Sequence, residues 1–405
     1  MAVQRPAFLT VHRRAFLTVH RRAVLSVHRR GAVTHNGPVT SVRIPAAVLE
    51  RARSTAARAG IAADTDELLG GRAALLGLRS GGRVSAGGAS RLMAAHDGWC
   101  ALTLSRPDDI AAVPALVEAD AVVGDPWPAV ERNVHDRGVV AFAERARLLG
   151  LPVGVLGETG SAAPVFRRSG DPVQPCGLTG LLVADLSSMW AGPLCGQLLA
   201  RAGATVVKVE SATRPDGTRQ GPPAFFDWMN GGKLSYRADF TRPDGVRRLL
   251  AVADVVIESS RPAALERRGL GPADVPARRG RIWLRVTGHG TAGDRADWVA
   301  FGDDAAVSGG LVGGSADAPE FCGDAIADPL TGLHAALAVL ESHARGGGEL
   351  VEISMAAVAA GYAGLPGDDE RDCAATPSVP DSGPELGSDN DVVDRLVADR
   401  LAAPC

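Results

Sequence analysis

The stretch Leu181–Glu210, LLVADLSSMWAGPLCGQLLARAGATVVKVE, decides the fold. Its two ends, LLVAD and TVVKVE, are short, mostly apolar runs of the length and composition of buried strands. The middle, PLCGQLLARAG, has helical spacing and starts with Gly192-Pro193, an ordinary helix opening with proline near the first position. A strand, a loop, a helix and a second strand make a βαβ unit. Its loop, SSMWAGP, then falls at the carboxyl end of the first strand. In open α/β sheets that is where ligands sit and where helix N-termini offer N–H groups to anions.

The same alternation continues downstream. PDGVRRLLAVA reads as helix, DVVIES and RIWLRVTG as strands, PLTGLHAALAVLESHARGG as a long helix and ELVEIS as a strand. This predicts an α/β fold, a Rossmann-like, mostly parallel, doubly wound sheet, over residues 176–363. Upstream, AAVLERARSTAARAG reads as helix, DGWCALTLS as strand, and VVAFAERARLLGLPVGVL as helix then strand. Residues 45–158 are therefore a smaller α/β unit placed N-terminal to the large one. The Gly-, Ser-, Pro- and Arg-rich segment 159–175 reads as a linker. Residues 364–405 read as a polar tail closed by the amphipathic helix DNDVVDRLVADRLA.

Residues 1–44 are a repeat-containing extension. AFLTVHRR occurs at Ala7 and Ala15, and AVLSVHRR at Ala23. A period of eight turns a helical stripe by about 80° per copy, so no helix face stays apolar. No turn residues separate the copies, so a folded-back strand does not fit either. A basic arm or organelle transit segment is one reading; a disordered extension is preferred. Its removal is expected to leave the melting temperature nearly unchanged.

Composition removes several function classes. The 405 residues carry a formal net charge of −3, with 22% charged and 46% hydrophobic residues. That balance argues against nucleic acid as partner, and no 18-residue apolar run argues for a membrane span. Cys100, Cys176, Cys195, Cys322, Cys373 and Cys405 are widely spaced, without a Cys-x-x-Cys pair. This fits neither a disulfide framework nor a metal site and points to a reducing cytoplasm. The loop is a poor dinucleotide site. Glu210 stands near the place of a ribose-binding acid, but the loop has only Gly192, and Trp190 would keep pyrophosphate off the backbone. Lys208, Arg214 and Arg219 follow the second strand. Together they would suit a phosphorylated ligand, whereas each alone is more commonly a solvated charge.

With GLLVADLSSMWAGPLCGQLLARAGATVVKVE, NGGKLS, ADFTRPDG, ADVVIESSRPAALERRGLG and AIADPLTGLHAALAVLESHARGGGELVEISM in this order, residues 177–362 resemble the family III CoA-transferases. This group includes formyl-CoA and carnitine CoA-transferases and the related 2-methylacyl-CoA racemases. The resemblance implies coenzyme A in the first loop, acyl-CoA and carboxylic acid substrates, no further cofactor, and a homodimer of interlocked chains. It places the nucleophile on Asp328 in AIADPLTG. The opposing reading of Asp328 is a helix cap followed by proline at the first position. CoA contacts fall on Met189, Trp190 and Ala191, which could equally be loop packing, and on Arg267, otherwise a solvated helix charge. Arg242, beside Thr241, stands in for a family lysine. DGWCALTLSRPDD and VVAFAERARLLGLPVGV resemble the family's small domain, which there follows the large one.

Two other readings stay open. The racemases place a histidine where this chain has Phe301-Gly302, and Asp303 or Asp304 could replace it as a base only with a strongly raised pKa. A polar turn is the plainer reading of those two acids. A non-catalytic acyl-CoA-binding protein or partner subunit would explain the altered basic positions, and Asp328 argues against it.

Overall fold

The computed structural model describes residues 41–402 apart from 262, 367–368 and 380. The repeat-containing extension therefore lies outside the described residues, save for its last four positions. In chain order the elements are β1 (Val42–Pro45), α1 (Ala46–Arg58), α2 (Thr65–Leu76), β2 (Ser90–Ala95), β3 (Gly98–Thr103), α3 (Trp127–Arg137), α4 (Val139–Leu148), β4 (Val153–Val155) and β5 (Val165–Arg168). Next come β6 (Leu182–Asp185), α5 (Ala191–Arg201), β7 (Thr205–Ser211), α6 (Pro223–Asn230), β8 (Leu234–Ala238), α7 (Asp244–Val252), β9 (Val255–Glu258) and β10 (Ile282–Thr287). The remainder are α8 (Gly302–Ser308), β11 (Val312–Ser315), β12 (Ala318–Phe321), α9 (Ala327–Ala344), β13 (Glu349–Ser354), α10 (Met355–Ala363), β14 (Glu370–Cys373) and α11 (Asn390–Ala402).

A seven-stranded sheet in the order β5-β13-β10-β9-β6-β7-β8 carries the fold. Every pairing among β6 to β10 and β13 is parallel, and β5 adds an antiparallel edge. The mostly parallel α/β sheet expected from the alternation is present. Counted from β6, its six parallel strands run 3-2-1-4-5-6, so the chain reverses direction between β6 and β9. The crevice at that switch point is lined by the two loops Leu186–Trp190 and Ser259–Arg261. They touch where Ser188 N–H donates to Ser259 Oγ at 3.2 Å.

Helices cover both faces, which is why these strands are apolar throughout. On one face α1, α2, α5, α9 and α10 share a single core with Val183, Ile257, Leu284 and Val351 of the sheet. On the other, Val246, Leu249 and Leu250 of α7 and Val393 and Val397 of α11 pack against Val207, Val256 and Trp283. Helices α5 and α9 approach closely at Gly332, where an added Cβ would lie 2.8 Å from the Ala191 carbonyl. A separate antiparallel sheet, β2-β3-β4, has its own core with Val130, Val134, Phe142 and Ala146.

Three segments differ from the sequence reading. The linker 159–175 contains β5, which pairs along β13 from Val165↔Glu352 to Arg168↔Glu349. It has little apolar content because only one edge is bonded and its side chains are largely exposed. The polar tail contains β14, paired with β1. Helices α1 and α2 join the core beneath the seven-stranded sheet, not the three-stranded one.

Candidate active site

Asp328 is the second residue of α9, behind Ile326, and no side chain caps that helix. The cap reading of Asp328 is therefore corrected: its carboxylate is not spent on its own helix. It lies instead beside the first residues of α5 and α8, Ala191 and Gly302, whose N–H groups favour its charged form. The starts of three helices converge on one carboxyl. Two of them follow from the topology, because helices returning from β6 and leading into β13 both begin at the carboxyl edge of the sheet.

The loop before Asp328 is unusual. Ala325 has φ +45, in the left-handed region that residues other than glycine seldom adopt. Its carbonyl accepts from Asp328 N–H at 2.9 Å, and its own N–H donates to Asp303 Oδ1 at 3.0 Å. Gly302 sits against this turn. A Cβ there would come within 2.2 Å of the Ala325 carbonyl and 2.5 Å of Asp328 Oδ2. The glycine in the racemases' histidine neighbourhood is thus a site of close backbone approach.

Charge at this site is unbalanced. Burial pushes the Asp328 carboxyl up to about 7, Arg72 pulls it down, and Asp303 pushes it further up. Helix N-termini favour the anion, yet removal from water outweighs them. Asp303 and Asp324 are also raised, burial being the main cause, and Asp304 is raised well above an ordinary carboxyl. The polar-turn reading of Asp303 and Asp304 is corrected accordingly: both are in the first turn of α8, Asp304 fully buried and Asp303 half-buried, and both carboxyls are hydrogen-bonded within the fold. Asp303 Oδ2 accepts from Ser90 Oγ at 2.8 Å. Asp304 Oδ1 accepts from Thr103 Oγ1 at 2.8 Å and from Phe301 N–H at 3.1 Å. The small sheet, through Ser90 and Thr103, thereby anchors the helix that touches Asp328. These acids have the raised pKa a substitute racemase base would need, but their oxygens are occupied in holding α8 and the Ala325 turn.

Sequence reading missed Arg72. It projects from α2 and donates Nη1 to Asp324 Oδ1 at 2.6 Å, with the Asp324 side chain 1% exposed. Its guanidinium carbon lies 5.6 Å from the Trp190 ring centre and 5.4 Å from that of Phe225. The sequence signal was the pair Gly70-Gly71 just before it, which is weakening inside a helix unless something presses close. Cysteine 373 and Pro377 do so, at 2.6 and 2.5 Å from Cβ positions built on the two glycines.

The expected CoA-binding residues divide. Met189, at φ +73, is exposed at the switch-point crevice and donates its N–H to Asp216 at 3.2 Å. Trp190 is 3% exposed and packs edge-on against Phe225 with ring centres 5.3 Å apart, and Ala191 is buried, its N–H favouring the Asp328 anion. Arg267 is exposed just beyond the short helix Ala263–Glu266. Arg242 is exposed after β8 and pairs with Asp239 at 3.0 Å.

Of the three basic residues that together would suit a phosphorylated ligand, Arg214 is exposed, whereas Lys208 and Arg219 are committed within the fold. Lys208 is fully buried and bonds Asp216 at 2.7 Å and the Ser187 carbonyl at 2.5 Å. Burial works against its ammonium, but Asp216 and Asp185 outweigh that and hold its pKa above the usual value. Lys233 bonds Asp185 at 2.9 Å beside it. These pairs brace the first loop from beneath. Arg219 is held by both oxygens of Glu210, which removes Glu210 as a ribose ligand. Among the described residues no cluster of His, Cys, Asp and Glu is arranged to hold a metal ion.

This geometry defines a class: a doubly wound α/β protein with a half-buried carboxylate of raised pKa where helix N-termini meet beside the switch-point crevice. Residues 178–366, which contain all the parallel strands and Asp328, match the family described as CoA-transferase family III. The chain is 35% identical over 203 residues to the succinate–glutarate CoA-transferase of Agrobacterium fabrum, covering 44% of this chain and 50% of that one. It is 33% identical over 199 residues to the succinyl-CoA–D-citramalate CoA-transferase of Chloroflexus aurantiacus, covering 45% and 50%. A CaiB/BaiF family protein from Brucella suis, of known structure, matches at 34% identity over 46% of this chain and 55% of its own, with a TM-score of 0.41. The chain spans about half the length of the curated relatives it matches.

Proposed function

We propose that the protein is a CoA-transferase that moves CoA from an acyl-CoA thioester to a free carboxylic acid through covalent intermediates on Asp328. The observation that carries this reading is the Asp328 carboxyl, half-buried at the meeting of three helix starts with its pKa pushed up by burial, within the segment that matches family III. A desolvated carboxylate is a stronger nucleophile than a hydrated one, and covalent steps divide the barrier without a metal or further cofactor.

Asp328 attacks the thioester carbonyl; the C–O bond forms, the C–S bond breaks, and CoA leaves as thiolate. The thiolate then attacks the Asp328 carbonyl of the mixed anhydride, releasing the donor acid and leaving an aspartyl-CoA thioester. The acceptor carboxylate repeats the first exchange on that thioester, and the returning thiolate takes the acceptor acyl group and frees Asp328. Each tetrahedral centre formed on the Asp328 carbon develops an oxyanion beside the Ala191 and Gly302 N–H groups, which favour negative charge there. Met189 and the switch-point crevice take the CoA chain, with Arg267 and Arg242 at the sheet's carboxyl edge for its phosphates.

The free thiols among the described residues fit a reducing cytoplasm. A homodimer is the proposed assembly; light scattering at micromolar concentration should give a mass well above 41.7 kDa, and a stable monomer would exclude it. The activity is tested by incubating the purified chain with succinyl-CoA and a panel of dicarboxylic acids. New acyl-CoA in the parent and none with Asp328→Asn supports the reading. No exchange with any acid favours the non-catalytic alternative.

A further inference from the structure

We propose that Arg72 is the residue that binds the carboxylate of the acceptor acid beside Asp328, a role that rests on the transferase reading above. Among the described residues Arg72 donates one side-chain hydrogen bond, through Nη1 to Asp324. A guanidinium has five N–H donors in a planar fork suited to a carboxylate, so most of this fork is uncommitted. Its side chain is 24% exposed, while its brace Asp324 is 1% exposed. The group is thus anchored on one side and reachable on the other. The Trp190 and Phe225 rings pack against the guanidinium.

The charge pattern explains why such a residue is needed. Asp303, Asp324 and Asp328 surround the site, and an incoming carboxylate meets their field. Arg72 is the cation that acts on both Asp324 and Asp328. In the resting protein its charge is shared with Asp328. Once Asp328 is an aspartyl-CoA thioester, that negative charge is gone and the Arg72 charge is available to another anion. The acceptor carboxylate is therefore drawn in when a thioester is present to receive it. Its oxygen attacks the Asp328 carbonyl carbon, the C–S bond breaks, and CoA leaves as thiolate with no redox change. The same cation holds the donor acid as it departs. A single residue would thus set both acceptor affinity and inhibition by the released acid.

The test uses the full-length chain, succinyl-CoA as donor, glutarate as acceptor, and hydroxylamine as a neutral nucleophile that intercepts the aspartyl thioester. Arg72→Gln is expected to raise the KM for glutarate by at least ~10-fold. The succinate inhibition constant should rise by a similar factor, with the KM for succinyl-CoA little changed. Hydroxylamine-dependent CoA release should fall by a much smaller factor than glutarate-dependent exchange, since loss of Arg72 also raises the Asp328 pKa, and Arg72→Lys should recover part of the glutarate effect. If the variant does not fold, Arg72→Gln with Asp324→Asn removes the pair together and takes its place. Parent-like KM for glutarate in a folded variant overturns the Arg72 proposal while leaving the transferase reading intact. Equal loss of the acid and hydroxylamine reactions assigns Arg72 to support of Asp328 and also overturns it. No reaction of the parent with either nucleophile overturns the transferase reading itself.

Discussion

At the scale of the residue, the proposed function of Asp328 opposes stability. Its pKa is about 7 when folded and near 3.8 when unfolded. A raised folded pKa means that the native state holds the proton more tightly. Its contribution to stability is present below about pH 4 and is lost as pH rises through about 7. The attacking form is the carboxylate, so exchange should rise with pH up to about 7 and then level. An initial-rate profile between pH 5.5 and 8.5 checks this; a flat profile would show that Asp328 titrates elsewhere or does not limit the reaction. Asp328→Asn removes the charge that burial disfavours. It should therefore raise the melting temperature at pH 8, a gain on the order of 1–3 kcal/mol, while exchange falls by several orders of magnitude. Thermal denaturation at pH 5 and pH 8 checks the sign, since parent and variant should converge at the lower pH. Asp328 as a candidate was legible only through the family resemblance. Its local sequence suits a cap, and nothing in AIADPLTG reveals that it lies beside the N–H groups of Ala191 and Gly302.

At the scale of the element, the site depends on the position of α8. Ser90 and Thr103 of the small sheet hold Asp303 and Asp304, and Asp303 holds the Ala325 turn. Gly302→Ala would drive a methyl into the Ala325 carbonyl and the Asp328 carboxyl. The cost should be about 1–3 kcal/mol. Exchange should fall further than stability alone explains, because the Gly302 N–H and the Asp328 carboxyl move apart; comparing chemical denaturation with exchange rates at saturating substrate checks both. The parallel strands β6, β7, β9, β10 and β13 were legible because strands buried on both faces are apolar runs. Strand β5 was not, since a one-sided edge strand with exposed Val165 and Arg168 has the composition of a linker. Strand β8 also escaped notice, since Leu234–Ala238 carries Ser235 and an exposed Arg237 among its apolar positions. Arg72 was illegible for a different reason. The residue that braces it lies 252 positions away, and the helical pattern of α2 alone makes an arginine read as solvated.

At the scale of the molecule, segments outside the family match complete the fold. Helix α11 covers Val246 and Leu249 with Val393 and Val397, Arg400 pairs with Asp254 at 2.7 Å, and Asn390 bonds the backbone of β8 at Arg237. Truncation before Asn390 should therefore destabilise the protein by about 3–5 kcal/mol, through lost apolar burial and the loss of one of the partners of Asp254, as a denaturant midpoint would show. The small sheet precedes the large one in sequence yet reaches the site through Ser90 and Thr103, so chain order and spatial role part company here. The central claim is that Asp328 carries the acyl and CoA groups in turn. Peptide mass mapping after incubation with succinyl-CoA and hydroxylamine tests it most directly. The account predicts a hydroxamate on Asp328 in the parent and none in Asp328→Asn; exchange that proceeds with Asp328 unlabelled, or with the label on another residue, would contradict it.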